Sequence, residues 1–337
     1  MTGAPARLAA RRWRLPATPW ARAIGALVLA TGVSAVHAQD IEPRAYSNAP
    51  IGVNFVIAGY AYTRGGLAFD SALPVKNPHL KTSNAVLAYA RVLDFWGSSG
   101  TVSAILPYTW LSGTAELAEQ TIERVVDGFA DARFRVSVNL YGAPALTLKE
   151  FAAYRQDLIV GASLQFSVPT GQYDRTKLVN IGTNRYSFTP EVGLSKAIGP
   201  WTLELAGGAT FYTDNDDFFF GQTRSQAPLY SAHAHAIYNF RSGIWASLDA
   251  TYLNGGRTTV DGTRNQDLQQ NWRLGGTLTI PVDVRNSIKL YASSGSVLAH
   301  RERLRPGRHR LAIPVGRRAL RRGNGPAARG PSQARGD

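Results

Sequence analysis

The chain contains no cysteine, and its one methionine is Met1. Without thiols, disulfides, thiol nucleophiles and cysteine-ligated metal centres are all excluded. Beyond residue 38 there is also no apolar run near the roughly 20 residues that a membrane helix needs. A third absence emerges once the formal charge of +14 is divided along the chain. Of the 37 basic residues, five precede residue 39 and eleven follow residue 300, leaving 21 against 21 acidic residues between. The body is neutral and lacks the basic footprint of a nucleic-acid-binding protein.

The ends read differently from the body. Arg7, Arg11, Arg12, Arg14 and Arg22 form a positive leader without an acid. Ala23 to Val36 is a short apolar core, and Val36-His37-Ala38 offers a cleavage site, so residues 1–38 read as a signal peptide. Residues 39–50 follow as a short N-terminal periplasmic segment.

From 51 to 295 the dominant signal is period-two alternation. Val102, Ala104, Leu106, Tyr108 and Trp110 share one face of a segment whose other face carries Thr101, Ser103 and Thr109. Leu158, Val160, Ala162, Leu164, Phe166 and Val168 repeat the pattern against Ser163, Gln165 and Ser167. Strands are expected at 51–64, 82–95, 100–111, 128–141, 156–168, 186–198, 200–213, 226–240, 243–254, 270–282 and 284–295. They are long enough to cross a bilayer when tilted, where soluble strands average about five or six residues. Aromatic residues sit near their ends, and short connections alternate with long ones, as in membrane barrels. A single amphipathic helix is expected over 144–154, on the periplasmic rim. The expected fold is all-β: a transmembrane up-and-down antiparallel β-barrel of about twelve strands, eleven of them evident.

Bacterial barrels close with an even number of strands, so one is missing. In its place stands an Arg-rich tail, 296–337, without alternation and with several prolines, which by composition should be disordered. It reads either as a natural basic tail or as the product of a changed reading frame. Synonymous codons exist for Glu302 to Arg318 whose one-nucleotide shift encodes an alternating, aromatic-rich closing strand. Without that strand, two edges present unpaired backbone groups to lipid, at several kcal/mol per group.

Gly52-Val53-Asn54-Phe55 with Gly59-Tyr60, Leu106-Pro107-Tyr108 and Ser287-Ile288-Lys289-Leu290-Tyr291 carry a family likeness. So, most specifically, do Val168-Pro169-Thr170-Gly171-Gln172-Tyr173-Asp174 and Asn180-Ile181-Gly182-Thr183-Asn184-Arg185. On these residues the chain resembles the MetA-pathway of phenol degradation family of outer-membrane transporters, departing from it only at the C-terminus. The resemblance implies passive passage of small hydrophobic or aromatic solutes across the outer membrane of a Gram-negative bacterium. The implied partners are outer-membrane lipid and lipopolysaccharide, the barrel-assembly machinery and the solute, with no nucleic acid and no cofactor. Two alternatives stand beside it: a non-conducting structural or adhesive barrel that binds through its outer loops, and an outer-membrane hydrolase.

If the apolar faces meet lipid, parity projects Asn54, Arg91, Asp131, Arg133, Arg135, Glu191, Glu204, His233, His235, Asp249, Arg273 and Lys289 into the lumen. Both signs occur, which favours an internal ion-pair network over selection by charge. His233 and His235 face one way, as chelation requires, but lack the further ligands of a metal site, so hydrogen bonding is expected of them. Ser231 shares their parity, with Asp249 on the next strand; inside a lumen that group is out of reach of a lipid substrate. Asp216 and Asp217, followed by Phe218, Phe219 and Phe220, fall in an outer loop. The carboxylates there read as a solvated turn, and the aromatic triplet as a plug for the mouth or an apolar solute contact.

Overall fold

The computed structural model describes residues 42–65, 76–117, 120–241, 243–283 and 285–297. The leader, the Arg-rich tail and the reading-frame question lie outside the described residues.

The first strands are β1 (Asn54–Gly65), β2 (Lys76–Phe95), β3 (Ser98–Leu117), β4 (Gln120–Phe129) and β5 (Ala132–Tyr141). A one-turn helix, α1 (Leu148–Phe151), precedes β6 (Leu158–Val168), β7 (Ser187–Ile198) and β8 (Trp201–Tyr212). Next come β9 (Asn215–Phe218), β10 (Gln222–Gln226), β11 (Leu229–Asn239) and β12 (Trp245–Gly255). The last are β13 (Thr258–Val260), β14 (Thr263–Arg264), β15 (Gln269–Pro281) and β16 (Ser287–Val297).

One antiparallel sheet runs β1-β2-β3-β5-β6-β7-β8-β11-β12-β15-β16, with β4 beside β5 on β3. Thus β4 and β5 are one strand broken at Ala130-Asp131: β4 pairs with the outer half of β3 and β5 with its inner half. This makes eleven positions around the sheet, matching the eleven expected strands. Among the described residues β1 pairs only with β2 and β16 only with β15, so both edges are open.

The sheet is inside-out relative to a soluble protein. Leu248, Leu274 and Leu205 are 73%, 64% and 59% exposed, whereas Glu204 and His233 are only 5% and 2% exposed. Apolar side chains exposed along one face of long strands are stable only against lipid, which fixes that face as the outer one.

Three expectations are corrected. The helix over 144–154 is confined to Leu148–Phe151, one turn held by a Thr147–Glu150 capping box. The stretch 112–127 was read as a loop, but its described residues, 112–117 and 120–127, are strand: β3 and β4 pair with each other there. The connections 214–225 and 255–269 also carry strands, β9, β10, β13 and β14, which form a second sheet over the outer end. Leu80 of β2, Leu111 of β3 and Phe218 of β9 form a buried cluster joining the two sheets, with Val126, Leu178, Val179 and Val260 packed around them.

Candidate functional site in the barrel interior

Register decides which residues face inward, because directly opposed residues share a face. One inward row runs Glu191, Gly208, Ser231 and Leu253; the next runs Gly193, Ala206, His233, Thr251 and Arg273. A third joins Ser195, Glu204, His235, Asp249 and Gly275. Arg133 and Arg135 lie inward opposite Ser167 and Gln165, and Lys289 opposite Thr279.

Asn54 and Arg91 do not join them. They oppose each other, and Arg91 opposes Val102 on the lipid-facing side of β3, so both face outward. There the Tyr89 hydroxyl donates to Asn54 Oδ1 at 2.7 Å. β1 and β2 are largely apolar on both faces around these positions, so alternation does not report their orientation.

Several of the inward charges are paired. Arg135 donates to Glu191 at 2.9 Å. His235 Nδ1 lies 2.8 Å from Asp249 Oδ1, whose other oxygen accepts from the Thr277 hydroxyl at 2.8 Å. His233 Nδ1 lies 3.1 Å from Thr251 Oγ1. Ser231 is four residues from His235, about 13 Å along an extended strand, so the two do not form a nucleophile–base pair. Among the described residues no group of three or more His, Asp or Glu side chains is placed to hold a metal.

The segment before β1, residues 39–50, was expected to be a short periplasmic one. Its described part, with the residues up to β1, forms a strap of residues 42–53 against the inner face. The Arg44 backbone N–H donates to Glu204 Oε2 at 2.7 Å, and its guanidinium donates to Asn239 and lies 4.8 Å over the Trp245 ring. Tyr46 is 1% exposed, and its hydroxyl donates to Glu191 Oε1 at 2.6 Å. Burial and the Glu191 charge raise the phenol pKa, so it stays a proton donor. Glu42 pairs with Lys289 at 2.6 Å. Gly52 donates to the Val92 carbonyl at 2.9 Å, joining the strap to β2. Sequence reasoning missed Arg44 and Tyr46. The available signal was glycine inside strands, Gly161 and Gly193, which marks a close approach.

The inner face is not uniformly polar. Phe55 and Ile57 of β1, Val86, Ala88 and Ala90 of β2, and Ile105 and Pro107 of β3 face inward by register. Phe55 and Ile57 are 44% and 50% exposed there. The lumen therefore has an apolar patch across the middle of β1–β3, flanked by Thr82, Asn84, Ser103 and Thr109, and a mainly polar wall from β5 to β16. By contrast, a groove of about 400 Å³ bounded by Leu194, Leu205, Tyr252 and Trp272 opens mainly on the lipid face, over Gly207, Ala232 and Ala234.

At the outer end, Asp131 clamps the loop between β6 and β7. Its carboxylate accepts from the Gly171 and Thr183 backbone N–H groups at 2.9 and 2.8 Å and from the Thr183 hydroxyl at 2.6 Å. Phe218 is buried in the outer cluster, Phe219 packs on it, and Phe220 is exposed with φ +65°. Asp216 is exposed, and Asp217 meets Arg175 at 3.3 Å on the surface.

The long strands, inverted faces and interior charges define a membrane β-barrel. The chain belongs to the family described as MetA-pathway of phenol degradation, which matches residues 68–313. An outer membrane channel from Pseudomonas putida F1 has a similar solved structure. That likeness has a TM-score of 0.62 at 19% identity, over 77% of this chain and 93% of that one. No curated protein matches.

Proposed function

We propose that this chain is an outer-membrane channel through which small hydrophobic solutes, aromatic ones among them, diffuse passively, and that it is exported by a cleaved signal peptide. The observation that carries this reading is the apolar inner wall of Phe55, Ile57, Val86, Ala88 and Ile105. An aqueous pore has no use for such a surface, because apolar area exposed to water costs about 25 cal/mol per Å². A hydrophobic solute removes that cost on contact. The family membership and the fold likeness support the same reading. Lipid, lipopolysaccharide and the barrel-assembly machinery are its expected partners.

The test is entry of a small apolar fluorophore into vesicles whose outer leaflet is lipopolysaccharide, the layer that slows such molecules. Faster entry with the full chain than without it is expected, slowed again by Ile57→Ser with Ile105→Ser. Equal entry with and without the chain contradicts the proposal.

The strap favours a second reading, a non-conducting barrel that acts through its outer hairpins. Deleting residues 42–50 separates the two: a channel held shut by the strap conducts faster after deletion, and a structural barrel shows no flux either way.

A further inference from the structure

One inward cation stands at the boundary between the two walls. Arg133 directly opposes Ile105, and the same inward row continues through Ala88 to Ile57. Among the described residues its guanidinium makes no hydrogen bond or ion pair. The other inward cations are committed: Arg135 to Glu191, Lys289 to Glu42, and Arg273 to contacts of its own. Asp131, two residues away, attracts Arg133, but its oxygens are occupied by Gly171 and Thr183. Arg133 is thus a planar fork of donors beside an apolar strip about three strands, or roughly 10 Å, wide.

We propose that Arg133 and the strip Ile105, Ala88 and Ile57 form a binding site for a small organic acid. The carboxylate lies on the Arg133 guanidinium and the apolar body on the strip. The proposal rests on the channel reading and narrows it, from hydrophobic solutes in general to those with one anionic head. Carboxylate geometry matches the guanidinium fork. A strip facing the lumen accepts a flat hydrocarbon body without rearranging the strands. Ser103 and Ser167, the nearest inward polar neighbours on β3 and β6, are uncharged.

Ligand-observed fluorine NMR on the full chain in nanodiscs tests this, with empty nanodiscs as the background. The probes are 4-fluorobenzoate and 4-fluorobenzyl alcohol, which share a ring and differ in the charged head. The expected result is benzoate binding weakened about tenfold by Arg133→Gln, with alcohol binding unchanged, since a hydrogen bond to a charged group is worth about that factor. Ile105→Ser should weaken both probes. Benzoate binding equal in wild type and Arg133→Gln overturns the proposal, as does benzoate binding no tighter than the alcohol. If Arg133→Gln does not assemble, Arg133→Lys replaces it, with a pH series. Benzoate binding must then fall as the probe becomes protonated, and binding that ignores its charge overturns the proposal. Alcohol binding or fluorophore entry without acid discrimination leaves the channel reading standing and removes only this inference; absence of both removes the channel reading too.

Discussion

Gly161 and Gly193 sit inside β6 and β7, where glycine costs roughly 0.5–1 kcal/mol relative to alanine. Their lack of a side chain has a use: a Cβ at either position would overlap the Tyr46 ring. Gly193→Ala should therefore push Tyr46 from its seat and separate it from Glu191. The expected result is faster amide exchange across 42–48, and unchanged exchange would contradict the seating. Tyr46→Phe keeps the ring and loses the hydroxyl bond to Glu191, a loss of about 1–2 kcal/mol. Arg44, whose N–H is held by Glu204, should then exchange about tenfold faster. None of this was legible in residues 39–50, which carry no periodicity. The strap is held by scattered contacts to strands about 40 to 250 residues away, and such contacts leave no local pattern.

The spanning strands were legible because each carries an apolar and a polar face over ten or more residues. Where both faces are apolar, as in β1 and β2, the strands could be found but not oriented, so Asn54 and Arg91 were placed on the wrong side. The outer sheet was not legible because β9, β10, β13 and β14 have only two to five residues each, and β10 and β13 pair across more than thirty residues. The 169–185 motif could be seen as distinctive, but its reason lies in Asp131, which ties both its ends. Gly171 and Gly182 pass so closely that a Cβ on Gly171 would lie 2.7 Å from the Gly182 Cα. Asp131→Ala leaves two backbone donors unsatisfied, at about 1–3 kcal/mol each. It should open this loop to proteolysis while the spanning strands keep their protection. A loop as resistant as in wild type would show that the clamp is dispensable.

Eleven positions around the sheet leave one edge each of β1 and β16 unpaired among the described residues, and lipid-exposed edges are costly. A chain extended after residue 297 by an alternating aromatic strand should assemble in greater yield than the chain as it stands, scored by the heat-modifiable gel band of a folded barrel. Equal yields would mean that the edges are satisfied otherwise. The barrel is defined by which way its two faces point, and here the absence of cysteine becomes useful. Single cysteines at Ser167, Thr189 and Thr277 on the inward face, and at Leu205, Leu248 and Leu274 on the outward face, can be probed in the membrane with a charged thiol reagent. Reaction at the inward set and silence at the outward set is the expected result; the reverse pattern, or equal reaction at both, would contradict the barrel and everything placed inside it.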